Sequence, residues 1–202
     1  MKCETISVGS FGVNCSILSR GGDAFIIDPG QEAERIIAEL AERNLTPAAI
    51  LLTHAHFDHI TAIVDLQRRF PELPVYVHSG DRPMFGHPFN QLPPEYPSIG
   101  VPKHLRDTDE LAALLPEVTV IHTPGHTPGG VCYYLAAERL LCSGDTLFAG
   151  SIGRTDFPGG SMTRMMDSLH ALMKLPAETE VVPGHGPRTT IGAEQRSNPY
   201  LI

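Results

Sequence analysis

Tryptophan is absent from this chain of 202 residues, and aromatic residues make up only 6% of it. No stretch approaches the roughly 20 consecutive apolar residues that a membrane-crossing helix needs. The amino-terminal "MKCETISVGS" has no apolar run after its one lysine, so no secretory leader is expected. Clusters of lysine and arginine are missing too. With 15 basic against 23 acidic residues the formal net charge is −8, and neither nucleic acid nor an anionic membrane surface is an expected partner. The four cysteines (Cys3, Cys15, Cys132, Cys142) form no CxxC pair. They read as reduced, mostly buried thiols of a cytoplasmic protein. Cys142 has no partner base at a telling spacing and is expected in the core. Internal repeats, low-complexity tracts and composition shifts that would mark a domain boundary are likewise lacking, and no pattern sets an oligomeric state.

What is present is an ordinary globular composition, 42% hydrophobic and 19% charged, with 19 glycines and 18 prolines implying many turns. β-rich runs at "TISVG", "NCSILSR" and "DAFIIDPG" are separated by glycine turns and predict an antiparallel meander. "QEAERIIAELAERN" places Ile36, Ile37, Leu40 and Ala41 at helical spacing. "AAILLTH" reads as a buried strand, "HITAIVDLQRRF" as a helix and "PVYVH" as a strand. Further along, "VTVIHTPG", "GVCYYLA" and "RLLCSGDTLF" carry strand signals, "MTRMMDSLHALMKL" a helix and "TEVVPGHG" a last strand. The alternation predicts a mixed, layered α/β fold. Residues 80–102 differ, with six prolines. They read either as an irregular cover over the core or as a substrate-facing loop offering Phe85, Phe89 and Tyr96 as an apolar wall.

The stretch "LLTHAHFDHI" puts His54, His56, Asp58 and His59 within six positions of one another, directly after an apolar strand. His54 and His56 alternate onto one side of the strand end, and a turn into the following helix can bring Asp58 and His59 back. Three more apolar strands stop in the same way. "VIHTPGHT" offers His126, "LLCSGDTLF" offers Asp145 and "EVVPGHGP" offers His185. Imidazole and carboxylate in this mixture suit a borderline transition metal, zinc first, with iron or manganese as alternatives. Seven ligands exceed the four of one tetrahedral ion and suit two divalent ions about 3.5–4 Å apart with a bridging carboxylate. His78, His87, His104, His122 and His170 lack such a context.

On these residues the chain resembles the metallo-β-lactamase fold superfamily, whose signature is "HxHxDH" followed by distal His, Asp and His. "SGDTLFAGSIGRTDFPGGS" and "TTIGAEQRSNPYL" are similar to the short glyoxalase II-like branch, the hydroxyacylglutathione hydrolase type. The resemblance implies a four-layer αββα sandwich of two mixed sheets over residues 1–202 as a single domain. It implies His54, His56 and His126 on a first metal, Asp58, His59 and His185 on a second, and Asp145 between them. Asp58 and Asp145 are then the carboxylates at the reacting centre. Asp28 in "IIDPG" is expected to orient a ligand histidine from outside the ligand set. Arg154 is expected either to meet a substrate anion or to pair with Asp156. Seventeen residues follow His185, too few for the helical domain with which glyoxalase II enzymes grip glutathione.

The implied activity is hydrolysis of a small-molecule thioester, S-D-lactoylglutathione or a related, possibly glutathione-linked compound, by a metal-bound hydroxide. A thiolate leaves without a proton donor, which favours thioesters over β-lactams. A persulfide dioxygenase with one iron on His54, His126 and Asp145, a nuclease or phosphodiesterase, and a non-catalytic metal-binding module are the alternatives.

Overall fold

A computed structural model of the chain describes residues 1–90 and 99–202. Its first half builds a six-stranded sheet from β1 (Lys2–Val8), β2 (Val13–Arg20), β3 (Asp23–Ile27), β4 (Thr46–Leu51), β5 (Val75–Val77) and β6 (Leu105–Asp107), hydrogen-bonded in that order. β1, β2 and β3 form the antiparallel meander read from the sequence, and β3 to β6 run parallel. The second half forms β7 (Thr119–His122), β8 (Val131–Leu135) and β9 (Leu140–Gly144), which are antiparallel neighbours. A small hairpin of β10 (Leu147–Phe148) and β11 (Ser151–Ile152) follows. β12 (Glu180–Pro183) then returns parallel to β9, and β13 (Thr189–Thr190) closes the order β13-β12-β9-β8-β7.

Period-two alternation sorts the strand side chains into three apolar layers. In β3, Ala24 and Ile26 face one way and Phe25 and Ile27 the other. The first pair packs with α1 (Ala33–Glu42) and α3 (Ile63–Arg69) through Ile36, Leu40, Ile63 and Leu66. The second pair meets Leu51 of β4, Tyr133 of β8 and Val182 of β12 between the two sheets. On the far face of the second sheet, Cys132, Leu141 and Val181 lie under Met165 and Leu169 of α4 (Met162–Leu172) and Ile191 of α5 (Ile191–Ser197). The result is the four-layer αββα sandwich of two mixed sheets. Among the described residues no helix is long and apolar enough to cross a membrane.

Two expectations change. The helix over 59–70 is two pieces, α2 (Phe57–Ile60) and α3. Thr61 Oγ1 donates to the Phe57 carbonyl, and the Ala62 amide donates to the carbonyls of Pro29 and Gly30, which diverts it from the helical ladder. The second concerns residues 80–102. Phe85 is buried in the layer beneath α1 and α3, so it belongs to the core, whereas Phe89 is only partly buried. Tyr96 lies outside the described residues. Cys142 is buried, as expected, and all four cysteines are free.

The strands that lead into the candidate site residues end at one edge. β4 and β12 stop on the same side, and the start of β2 joins them there. The Asn14 amide donates to the Gly184 carbonyl, Asn14 Nδ2 donates to those of Pro183 and Gly186, and Val13 bridges His185. Because this edge is set by packing between the sheets, Phe25→Ala is expected to destabilise the fold by about 3–5 kcal/mol, measured by urea denaturation. A cost under about 1 kcal/mol would show that the inter-sheet layer is not the main support.

Candidate metal centre

β4 ends at Leu51, and the chain runs on through Leu52 and Thr53 to His54 and His56. Its path is fixed by Asp28, which follows β3. Asp28 Oδ1 accepts from the Thr53 amide at 2.8 Å, and Oδ2 accepts from Thr53 Oγ1 at 2.6 Å and from His59 Nδ1 at 3.0 Å. Asp28 holds φ at +50°, a left-handed conformation that costs of order 1 kcal/mol or more for a residue with a side chain. Three good hydrogen bonds on its carboxylate outweigh that cost. Asp28 thus stands within hydrogen-bond distance of one histidine of the cluster.

The seven residues singled out in the sequence converge. The ligating atoms of His54, His56 and His126 lie within 4.8 Å of one another, and so do those of Asp58, His59 and His185; Asp28, His54 and His59 form a third such group. Asp145 spans the first two. Its Oδ1 is 3.5 Å from His59 Nε2, and its Oδ2 is 3.5 Å from His126 Nε2 and 3.7 Å from His185 Nε2. Gly184 permits that position, since a Cβ there would sit 2.2 Å from Asp145 Oδ1.

Four of the five imidazoles are tethered from behind. Nδ1 of His54 donates to Thr53 Oγ1 (3.1 Å), whose own proton goes to Asp28. Nδ1 of His59 donates to Asp28, that of His126 to the Arg154 carbonyl (2.7 Å), and that of His185 to the Phe11 carbonyl (3.0 Å). In a neutral ring each tether leaves Nε2 as the nitrogen with the lone pair, and those nitrogens face the cluster; His59, held protonated by the carboxylates around it, carries a hydrogen there in the metal-free protein. His56 differs: its Nδ1 lies 2.8 Å from His126 Nε2.

Charge follows this geometry. Burial and the neighbouring histidines push His54 down, and burial and His126 push His56 down to about 3. Burial alone would lower His59, but Asp58, Asp145 and Asp28 around it win and raise it to about 10. Burial tends to raise Asp58, yet His59 and His185 hold it well below the usual carboxylate range. The half with carboxylates therefore keeps a proton on His59 in the metal-free protein, whereas His54 and His56 of the other half are neutral. His59 is fully buried, whereas 27% of the His185 side chain and 13% of Asp145 remain accessible, so the cluster opens on that side.

Residues 8–185 match the family model of the metallo-beta-lactamase superfamily. The chain belongs to that superfamily. It is 35% identical over 219 residues to the hydroxyacylglutathione hydrolase GloC of Haemophilus influenzae, covering 100% of this chain and 98% of that protein. Among solved structures of the superfamily, TTHA1623 in a di-iron-bound form superposes with a TM-score of 0.88 at 39% identity, covering 98% of this chain and 100% of that one. BLEG-1, a B3 metallo-beta-lactamase, superposes with a TM-score of 0.86 at 39% identity, covering 99% of both chains. The His and Asp groups of this superfamily member are consistent with a dinuclear metal site.

The sequence did not reveal the tethers. Thr53 directly precedes the signature and could have been noticed, but the carbonyls of Phe11 and Arg154 are main-chain atoms without a residue-type signal. Arg154 lies beside Asp156. Its guanidinium forms two hydrogen bonds to Asp156 (2.8 and 2.7 Å) and lies 3.7 Å from the Phe157 ring centroid. Phe157 itself was overlooked; it packs against His56 and Phe89.

The raised His59 pKa gives a signed expectation. A metal that takes His59 Nε2 must displace its proton between the free protein's pKa of about 10 and neutrality. The Asp58, His59 and His185 group should therefore bind metal about tenfold more tightly per pH unit from pH 7 to 9, with about one proton released per chain. Calorimetry in buffers of different ionisation enthalpy measures this, and heat independent of the buffer would contradict it.

Proposed function

We propose that this protein is a metal-dependent hydrolase of acyl-thioesters, acting on S-D-lactoylglutathione or a related compound in the manner of a glyoxalase II. The supporting observation is the tethering: four Nδ1–H groups are spent on oxygens behind the rings, which turns the four Nε2 atoms toward one another and toward Asp145. Gathering them without a cation is electrostatically costly. Three buried atoms of this cluster, His54 Nε2, His56 Nε2 and Asp145 Oδ1, also lack a hydrogen-bond partner among the described residues. Bound cations would satisfy such atoms, so the residues fit the group.

His54, His56 and His126 would hold one divalent ion and Asp58, His59 and His185 a second, with Asp145 serving both. The mixed imidazole and carboxylate set suits zinc first, and iron or manganese as well; the di-iron relative supports iron as an occupant. When bound, such a pair supplies Lewis acidity and a water with a pKa near 7.

The chain's own residues supply rigidity, access and shape. Asp28 and the carbonyls of Phe11 and Arg154 stop the rings from turning. The accessible flank at Asp145 and His185 admits water and substrate. Phe89 and Phe157 stand 5.4 and 5.6 Å from the His56 ring and present an apolar wall. The tethered N–H protons are committed to acceptors and are not free to reach a leaving group. A thiolate, with a solution pKa of about 8.5, departs without one, whereas an amine needs protonation. The 35% likeness to GloC supports the same choice. The likeness to BLEG-1 makes β-lactam hydrolysis the second reading.

The test pairs metal analysis with two assays. The expected results are two metals per chain and thioester cleavage that chelation abolishes and metal restores, with a β-lactam much the poorer substrate. His126→Ala should lower thioester kcat/KM by more than about 100-fold, beyond the usual effect of removing a ligand's outer partner, and leave the circular dichroism spectrum in place. Faster β-lactam than thioester turnover would transfer the reading to the second substrate. One iron per chain, no hydrolysis, and oxygen uptake with a persulfide would overturn it in favour of a dioxygenase.

A further inference from the structure

Asp81 is a carboxylate that the site described so far does not use. It is fully buried, and its hydrogen-bond partners are three uncharged donors. The Ala55 amide donates to its Oδ2 at 3.0 Å, and Thr127 Oγ1 donates to the same oxygen at 2.8 Å. The Gly129 amide donates to Oδ1 at 2.6 Å. Each donor has a telling place in the chain. Ala55 stands between His54 and His56, and Thr127 follows His126. One carboxylate thus joins the two loops that carry three histidines, which come together from 70 residues apart.

The same segment grips Ala55 from its other side. Asn90 Nδ2 donates to the Ala55 carbonyl at 2.6 Å and to the Met84 carbonyl at 3.0 Å. Both polar groups of the Ala55 peptide are therefore held by side chains of residues 81–90. The approach is close enough to demand glycine at 129, where a Cβ would lie 2.4 Å from the Asp81 amide nitrogen and 2.7 Å from Oδ1. Asp81 has no hydrogen bond to the half-site of Asp58, His59 and His185, whose His59 leans on Asp28.

We propose that Asp81 is the positioning residue of the three-histidine half-site: by tying Ala55 to Thr127 and Gly129, it sets the spacing of His54, His56 and His126 and so governs metal affinity there and not at the other half-site. This rests on the ligand assignment made under the proposed function. It also gives the proline-rich stretch a role, since its first part is a clamp behind the ligands and not merely a cover. An isolated buried carboxylate is costly to keep, and three donors from two ligand loops account for its presence.

The experiment is a cobalt(II) titration of the metal-free protein, followed by absorption and calorimetry. His126→Ala identifies the three-histidine step as the one it removes. In Asp81→Asn, which keeps the shape but loses the charge and one acceptor, that step should weaken by about 10–100-fold while the other keeps its affinity and spectrum. Thr127→Val removes one of the three bonds and should shift the same step by less; it decides the matter if Asp81→Asn does not fold. Equal weakening of both steps with a lowered Tm would reduce Asp81 to general structural support and overturn the proposal, as would two unchanged steps. Wild-type protein that takes up no cobalt would remove the ligand assignment and this inference together, whereas two steps in the wild type with no selective effect would sink this inference alone.

Discussion

Imidazoles brought together around one point turn away from one another unless something behind each ring holds it. That constraint governs this structure. Four rings are held by an acceptor at Nδ1, and each acceptor belongs to a different part of the chain: Thr53, Asp28, and the carbonyls of Arg154 and Phe11. A hydrogen bond of this kind contributes only about 1 kcal/mol of net stability. Its larger effect is directional. It fixes the ring plane and the tautomer together, so the lone pair on the opposite nitrogen has a defined direction.

The layered packing serves that constraint. The inter-sheet layer contains Phe25, Ile27, Leu51, Tyr133 and Val182, drawn from four strands of both sheets. It fixes where β4, β9 and β12 end, and the ligand loops begin at those ends. Strands are stiff, and a loop that begins at a strand end inherits its position. Direct links across the edge finish the alignment: Tyr133 Oη donates to the Leu52 carbonyl and the Val131 amide to that of Thr53. The cost of gathering polar groups is thus carried by apolar layers some distance away, which is why the cluster can be rigid without adding stability of its own.

The seven clustered His and Asp residues were legible because they obey short-range rules. "HxHxDH" compresses four of them into six positions, and each of the others closes an apolar run with glycine beside it. The mixed, layered α/β character was legible because β2, β3, β4 and β8 alternate between two apolar layers or are apolar throughout; the four-layer sandwich itself followed from the family resemblance. What escaped was carried by other means. The carbonyls of Phe11 and Arg154 have no side-chain signature. The break between α2 and α3 depends on where the Ala62 amide finds its acceptors, in a loop 32 residues earlier. Asp81 and Asn90 were hidden in a segment whose prolines signal only irregular structure, yet η-type turns at 79–84 and 88–90 give both side chains fixed directions. β6 and β13 are too short to carry a periodicity.

A last step concerns the electrostatics of the two halves. Asp28, Asp58 and Asp145 surround His59, and in the metal-free protein the proton on His59 offsets part of their charge. In the three-histidine half, His54 and His56 are held neutral. A cation entering the first half must displace a proton, while one entering the second meets lone pairs already free. The halves therefore differ in their response to pH even though Asp145 touches both: His59 is already protonated at a pH where His54 and His56 are still neutral. The asymmetry is a property of the polypeptide: it arises because Asp28 and Asp58 lie on one side of the cluster and the three histidines on the other.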